Sequence, residues 1–217
     1  ISLRSAIKPF TAVAVLMAAE STGAEMGSDA IALSAASHAG ADEHVAVAEA
    51  MVERYRLDPE LLVHGRPSPL RSGSSGSLLQ HMCSGQHLSL LLLAQALGVD
   101  ARGYDDYAHP VQKRLRAVVG ELLGTDLDAA PWGMDGCAIP TYAVPLQVAA
   151  EGARRWANPD ASGLSPELSA GLQRVRDAAI EHPRLIAGGG FLDTDLIRGG
   201  EGVVVAKQGA EGLCLVG

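Results

Sequence analysis

The chain has 217 residues, and 47% of them are hydrophobic, which is enough to fill the core of a single domain. Its formal net charge is -8 at pH 7 and it contains no basic run. These features exclude partners that are held mainly through phosphate contacts, namely nucleic acids and anionic membranes. We therefore expect a small-molecule ligand.

The longest apolar stretches are FTAVAVLMAA and SLLLLAQALGV. Each is about ten residues long, whereas a membrane-spanning helix needs about 20. Neither stretch has the flanks of a signal peptide, so we expect a soluble, cytoplasmic protein. The three cysteines, Cys83, Cys137 and Cys214, are odd in number and widely spaced. That pattern favours free thiols or metal ligands over disulfides.

The first predicted element is a buried helix over residues 5–19. Ser5 and Lys8 are three positions apart, which places both on one helix face. Ser-x-x-Lys is the nucleophile and base pattern of penicillin-binding proteins and serine β-lactamases, although a helix-capping Ser and a solvated Lys would give the same spacing. Lysine is rare here: the chain has only Lys8, Lys113 and Lys207. A neutral lysine can accept a proton, whereas arginine stays protonated.

A polar turn and a loop follow in the chain. Ser37 and His38 lie at the edge of a turn marked by Gly40, and an amphipathic helix is predicted from there to about Tyr55. Residues 65–78 are rich in Pro, Gly and Ser without apolar periodicity, which predicts a flexible loop.

A strongly apolar helix is predicted next, entered through CSGQH and ending at Gly98. Ser84 and Gly85 place backbone N–H groups at its start, where a developing negative charge is stabilised. The sequence therefore favours a site at this helix end.

The last third of the chain mixes helices with short strands. An amphipathic helix has Pro110 near its first turn, and SPELSAGLQRVRDAAIEHP is typical of a capped helix. Strands are predicted at residues 203–207 and 213–216. The AGGG run lacks the G-x-G-x-x-G spacing of dinucleotide sites, and we expect no organic cofactor.

Seven sequence blocks occur together in one order: RSAIKPF, SHAGADEH, CSGQH, HPVQ, DGCAIPTYAVPL, AGGGFLDTDL and AKQGAEGLC. On these blocks the chain resembles the L-asparaginase II family, typified by the rhizobial, thermolabile asparaginases. The resemblance implies an α+β fold similar to serine β-lactamases and glutaminases, with helices packed on a central antiparallel sheet. It also implies an amidohydrolase that converts L-asparagine to L-aspartate and ammonia through two Ser-Lys pairs and an acyl-enzyme.

The resemblance assigns roles to individual residues. The implied catalytic pairs are Ser5 with Lys8 and Ser37 with Lys207; the implied substrate-binding residues are Arg4, His87 and Asp135; the implied zinc ligands are Cys83 and Cys137. The family's usual lysine ligand falls where this chain has Gln86, which leaves zinc and free thiols as alternatives.

The two ends of the chain differ from those of the family that it resembles. We expect a single asparaginase-like domain over residues 1–217, helix-rich because strands that family members have at both ends are missing. We also expect a homodimer. The alternative function is a non-catalytic relative or fragment that binds an amino acid or a partner chain, suggested by Gln86 and the missing strands.

Overall fold

A computed structural model describes residues 1–65 and 76–217. Most of the predicted loop over residues 65–78 therefore lies outside the described residues. The helices of the described chain are α1 (Lys8–Ser21), α2 (Ser28–Ser34), α3 (Asp42–Tyr55), α4 (Ser84–Ala96), α5 (Pro110–Leu123), α6 (Leu146–Ala157), α7 (Pro166–Glu181), α8 (Pro183–Ile186) and α9 (Leu192–Gly199). Short 3₁₀ helices cover Arg4–Ile7, Pro59–Leu61, Leu78–Gln80 and Pro159–Ala161.

Helix α1 runs through the centre of the molecule. Its sequence is apolar or small on nearly every face, and only its last two residues, Glu20 and Ser21, are exposed. Such a helix must be covered on all sides, and α4, α5 and α7 pack around it. The predicted buried first helix is confirmed. Its N-terminus, which carries Lys8, consequently lies inside the protein.

The ends of the surrounding helices are set by side-chain hydrogen bonds and by backbone conformation. Helix α5 is capped by the His109 side chain, which accepts from the Val111 amide, and it ends at Gly124 in the left-handed conformation. Helix α7 starts after Ser165, whose hydroxyl accepts from the Leu168 amide. Both helices were predicted from their Pro and Ser starts and their apolar spacing, and both predictions are confirmed.

Two small antiparallel sheets complete the described fold. Strand β1 (Trp132–Met134) pairs with β2 (Pro140–Tyr142), and β3 (Ala206–Gln208) pairs with β4 (Cys214–Val216). Residue Ser2 forms a bridge with Ala143, which extends the first sheet. The fold is α+β and helix-rich, but over residues 1–65 and 76–217 the strands form two separate pairs where one central sheet was expected. Each of these strands is three residues long.

The predicted C-terminal strands are present with shifted bounds. Residues 203–205 precede β3, although the Val205 amide and carbonyl still exchange hydrogen bonds with Gly217. A Cβ on Gly217 would lie 2.6 Å from the Ala153 carbonyl oxygen, so this glycine allows the β4 end to lie directly on α6. No helix in the described ranges is long and apolar enough to cross a bilayer.

Candidate active site

Ser5 lies on a strained turn at the entrance to α1. The preceding residue, Arg4, has a φ of 45°, in the left-handed region that costs a non-glycine residue roughly 1–3 kcal/mol. Its backbone N–H donates to Thr141 Oγ1 at 3.0 Å, and the Leu3 amide donates to the Tyr142 carbonyl at 3.1 Å. Within the described ranges the half-buried Ser5 hydroxyl makes no hydrogen bond.

Lys8 is buried, with 1% of its surface exposed. Its Nζ donates to the Ala36 carbonyl at 2.7 Å, to Ser37 Oγ at 3.0 Å and to Cys83 Sγ at 3.1 Å. An ammonium group has three donors, so all of them are engaged. The expected contact between Lys8 and Ser5 is replaced by one between Lys8 and Ser37. The sequence spacing places Ser5 and Lys8 on one face, but a buried ammonium turns toward the acceptors that compensate its lost hydration.

The loop that carries Ser37 is fixed by backbone hydrogen bonds from two other segments. The Ser37 amide donates to the Ile186 carbonyl at 2.9 Å, and the Ala39 amide donates to the Ala187 carbonyl at 2.7 Å. The His38 amide donates to the Met82 carbonyl at 3.0 Å. Burial lowers the pKa of the His38 ring, so this ring is neutral near pH 7. The loop is thus held rigidly against the segments that precede α9 and α4.

Lys207 is the second buried lysine, with no exposed surface. Its Nζ donates to Asp193 Oδ2 at 3.3 Å and to the Gln208 carbonyl at 2.9 Å. Burial lowers the pKa of Lys207 to about 8, the nearby Asp193 carboxylate opposes this shift, and Lys8 adds to it. The expected direct contact between Lys207 and Ser37 is replaced by the contact with Asp193.

Strand β3 brings Lys207 to the Ser5 turn because Gly209 follows it. A Cβ on Gly209 would lie 2.6 Å from the Leu3 carbonyl oxygen and 3.4 Å from the Ala6 Cβ. Only a glycine permits this approach of two backbones. Both lysines and both serines are consequently supplied by three neighbouring segments: the Ser5 turn with the start of α1, the loop after α2, and β3.

Arg4 and Asp135, two of the expected substrate-binding residues, are paired. Arg4 Nε donates to Asp135 Oδ1 at 2.8 Å, and Arg4 Nη1 donates to Glu211 Oε1 at 3.1 Å. An open pocket of about 370 Å³ lies beside Arg4 and Glu211, lined also by Trp132. His87, the third expected residue, is instead fully buried.

The His87 ring makes its contacts in the helical interior. Its Nδ1 lies 2.5 Å from the Tyr104 hydroxyl, and its ring packs edge-on against His64 at 4.7 Å between centroids. Burial lowers the pKa of His87 well below its usual value. The structure therefore places His87 in the interior, in contact with Tyr104 and His64.

Comparison with models of known protein families identifies the family of this chain. The sequence model of the family described as L-asparaginase II matches residues 1–217, the whole chain. The chain belongs to the L-asparaginase II family. No curated protein matches it. Membership of this family indicates an asparaginase-type amidohydrolase, and the serines and lysines described above are interpreted for that class of enzyme.

The two cysteines expected from L-asparaginase II members to hold zinc are close together. Cys83 and Cys137 are both buried free thiols. A hydrogen bond from the Cys137 thiol lowers the pKa of Cys83 well below its usual value, and the same interaction raises the pKa of Cys137. The thiol pair is also bound from one side by Lys8, which donates to Cys83 Sγ.

A zinc ion needs more than this pair, since structural and catalytic sites use at least three protein ligands. Over residues 1–65 and 76–217 no group of three or more His, Cys, Asp or Glu side chains is arranged to hold a metal. Gln86, at the expected lysine position, lines a small internal cavity with Thr11, Gln112 and Tyr142, and its Oε1 has no hydrogen-bond partner among the residues that the structure describes. The residues present do not fit zinc as they stand, and we derive no chemical step through a metal.

Sequence reasoning missed two features of this site. Asp193 was one of several polar residues in FLDTDL, and an Asp at a helix start is explained equally well by capping. Glu211 lies in a Gly-rich turn whose contact with Arg4 spans 207 positions of sequence. Neither partner could be identified without the tertiary structure, although the rarity of lysine did point to Lys207.

Proposed function

We propose that the protein hydrolyses the side-chain amide of L-asparagine to give L-aspartate and ammonia. The observation that carries this proposal is a pair of buried lysines on two chain segments that adjoin the Ser5 turn, and one of them, Lys8, contacts Ser37 Oγ at 3.0 Å. Membership of the L-asparaginase II family supports the substrate class. We further propose kinship with the serine β-lactamase fold, because the Ser-x-x-Lys motif opens a buried central helix in this chain.

Ser5 is the proposed nucleophile because its hydroxyl makes no hydrogen bond within the described part of the chain and lies on a strained turn. Attack forms a bond from Ser5 Oγ to the amide carbon and transfers the hydroxyl proton to a lysine amine. That proton then passes to the leaving nitrogen, the C–N bond breaks and ammonia departs. Water adds to the resulting aspartyl ester, and the ester bond breaks with return of a proton to Ser5.

Lys207 is the better candidate for the amine that accepts this proton. Because burial lowers its pKa to about 8, a substantial fraction is the free amine in neutral to mildly alkaline solution. Its Nζ has two acceptors for three hydrogens, whereas all three donors of Lys8 are engaged. Lys8 then has the role of orienting Ser37. This arrangement reverses the pairing expected from the sequence.

Arg4 and Asp135 are proposed to bind the charged end of the substrate. A guanidinium recognises an α-carboxylate and a carboxylate recognises an α-ammonium, both through charge-assisted hydrogen bonds. The present pairing of Arg4 with Asp135 and Glu211 keeps these opposite charges together beside the Ser5 turn. A zwitterionic amino acid can exchange its own charges for theirs.

The test is ammonia release from L-asparagine by the purified chain, with L-glutamine and β-aspartyl amides compared. We expect Ser5→Ala to reduce turnover by more than ~1,000-fold, since removing a nucleophile typically has effects of this size or larger. Ser21→Ala is the matched control, because Ser21 ends α1 and its exposed side-chain hydroxyl donates to the Ala18 carbonyl. Quenched wild-type reactions should show an aspartyl adduct on Ser5 by peptide mass spectrometry.

A second candidate is a protein that binds an amino acid without hydrolysing it. The observation in its favour is that both carboxylates near Arg4 already neutralise its charge, while Lys8 has no donor to spare. Calorimetric binding of L-asparagine with no ammonia release at any pH from 6 to 10, together with no adduct on Ser5, would favour this candidate over the hydrolase.

A further inference from the structure

Asp193 is a buried carboxylate at the start of α9, with 2% of its surface exposed. Its Oδ2 accepts from Lys207 Nζ at 3.3 Å, and its Oδ1 accepts from the Gln208 amide at 3.1 Å. One carboxylate therefore holds both the side chain of one β3 residue and the backbone of the next. Placement in the first turn of a helix also suits a negative charge.

The chain segment just before Asp193 fixes the loop that carries Ser37. The Ile186 and Ala187 carbonyls accept from the Ser37 and Ala39 amides at 2.9 and 2.7 Å. A Cβ on Gly188 would lie 2.9 Å from the Ala39 Cβ, so the two segments are in close contact. Residues 186–193 thus connect the Ser37 loop to Lys207.

The first turn of α9 is itself anchored. Thr194 Oγ1 accepts from the Gly188 amide at 3.3 Å and donates to the Pro183 carbonyl at 3.0 Å. Movement of Asp193 relative to the Ser37 loop would break these bonds. The carboxylate is therefore a fixed point from which the position of Lys207 is set.

We propose that Asp193 is a positioning residue of the hydrolase, holding Lys207 at a fixed distance from the Ser37 loop and balancing its charge inside the protein. The proposal rests on the proposed function and extends it to a residue outside the two Ser-Lys pairs. Asp193 acts through Lys207 and has no contact with substrate in this scheme.

The groups around Lys207 determine what its replacement should do. Lys207 faces Asp193 on α9, Lys8 on α1, Cys83 before α4 and Cys214 on β4. Of these groups, Asp193 is the one whose carboxylate hydrogen-bonds the amine. Its negative charge raises the pKa of Lys207 against the larger lowering by burial. Asp193→Asn keeps the size and an acceptor for the Gln208 amide but removes that charge.

The first measurement follows the lysines directly. With only three lysines in the chain, ¹³C-lysine labelling gives three side-chain signals, and Lys113→Arg and Lys207→Arg identify the signal of Lys207. We expect the titration midpoint of Lys207 to fall by about one pH unit or more in Asp193→Asn, a shift typical of losing an opposite charge at close range. Asp195→Asn is the matched control, because Asp195 is exposed on the same helix turn and should leave the midpoint unchanged.

The second measurement follows turnover. In Asp193→Asn the acid limb of the kcat/KM profile should move to lower pH with the Lys207 midpoint, and kcat should fall by ~10- to 100-fold with little change in KM. Asp193→Glu retains the charge but displaces the amine, so it should keep the midpoint near the wild-type value and still lose kcat. Asp193→Glu also tests the proposal if Asp193→Asn does not fold.

An unmoved Lys207 midpoint in folded Asp193→Asn would overturn the proposal, and so would full kcat in Asp193→Glu. These outcomes differ from failure of the proposed function. If the wild-type chain releases no ammonia while the Lys207 midpoint still moves in Asp193→Asn, the hydrolase is refuted but the pairing of Asp193 with Lys207 stands.

Discussion

Gly209→Ala should separate the strand that carries Lys207 from the turn that carries Ser5. The added Cβ would lie 2.6 Å from the Leu3 carbonyl oxygen, where ordinary contact begins at 3.4 Å, so 3.4 − 2.6 = 0.8 Å must be gained by movement. The Leu3 oxygen cannot swing aside, because it is backbone and accepts from the Ala6 amide at 3.0 Å. The backbone of Gly209 itself is outside the positive-φ region, so the effect is steric.

The size of the effect follows from this displacement. Overpacking of this kind typically costs about 1–3 kcal/mol, and for a chain of this length each kcal/mol lowers Tm by roughly 2–4 °C. A shift approaching 1 Å between reacting groups can reduce turnover by ~100-fold. We therefore expect a modest loss in Tm by circular dichroism and a much larger loss in kcat for ammonia release.

Gly199→Ala is the matched control, since Gly199 ends α9 and a Cβ there would meet nothing within 4 Å. It should be neutral or stabilising by up to ~1 kcal/mol, with wild-type turnover. If Gly209→Ala equals Gly199→Ala in both Tm and kcat, the close approach of β3 to the Ser5 turn does not matter for the activity and the reasoning is refuted.

Three further predictions concern the buried polar groups. Lys8→Arg should reduce turnover by ~100-fold or more although it keeps a positive charge. A planar guanidinium cannot reproduce the three hydrogen bonds that Lys8 makes in its buried position. Near-normal turnover would contradict this prediction. Gln86→Lys should raise the zinc retained after dialysis, measured by mass spectrometry, and equal metal content in both chains would contradict it. Burial lowers the pKa of His44, and it lowers the pKa of His64 to about 4. The unfolded chain therefore binds protons at higher pH than the folded chain, and the guanidinium concentration at the unfolding midpoint should fall as the pH falls from 6.5 to about 4. This fall should be less steep in His64→Gln.

The helices could be predicted because their signals are local. Pro110 near the first turn and an amphipathic pattern predicted α5, and a Ser and Pro start predicted α7. Both helix starts depend on hydrogen bonds between residues two or three apart. The β3 and β4 pairing was anticipated only as two strand candidates, because the register depends on contacts outside each strand. The arrangement of the strands into two separate pairs has no local signal at all.

The side-chain contacts predicted within the site differ from those in the structure for a related reason. A spacing of three residues fixes which helix face Ser5 and Lys8 share, but it does not fix where a four-carbon side chain ends. The acceptors of the Lys8 amine lie on residues 28 to 75 positions away, and the carboxylate that contacts Lys207 is 14 positions away. Side-chain partners in a buried site are set by which acceptors lose their water on folding, and that depends on the whole fold.

The same reasoning distinguishes the two lysines chemically. A lysine that donates three hydrogens to buried acceptors is an ammonium held as a fixed donor, and it could accept a proton only after losing one of those hydrogens and the bond that it makes. A lysine with an engaged carboxylate on one side and an uncommitted position on the other can gain and lose a proton without disturbing the fold. Lys8 has the first environment and Lys207 the second. The different roles that we propose for the two lysines therefore rest on their hydrogen-bond acceptors, and exchanging these environments would require moving Ser37, Cys83 or Asp193.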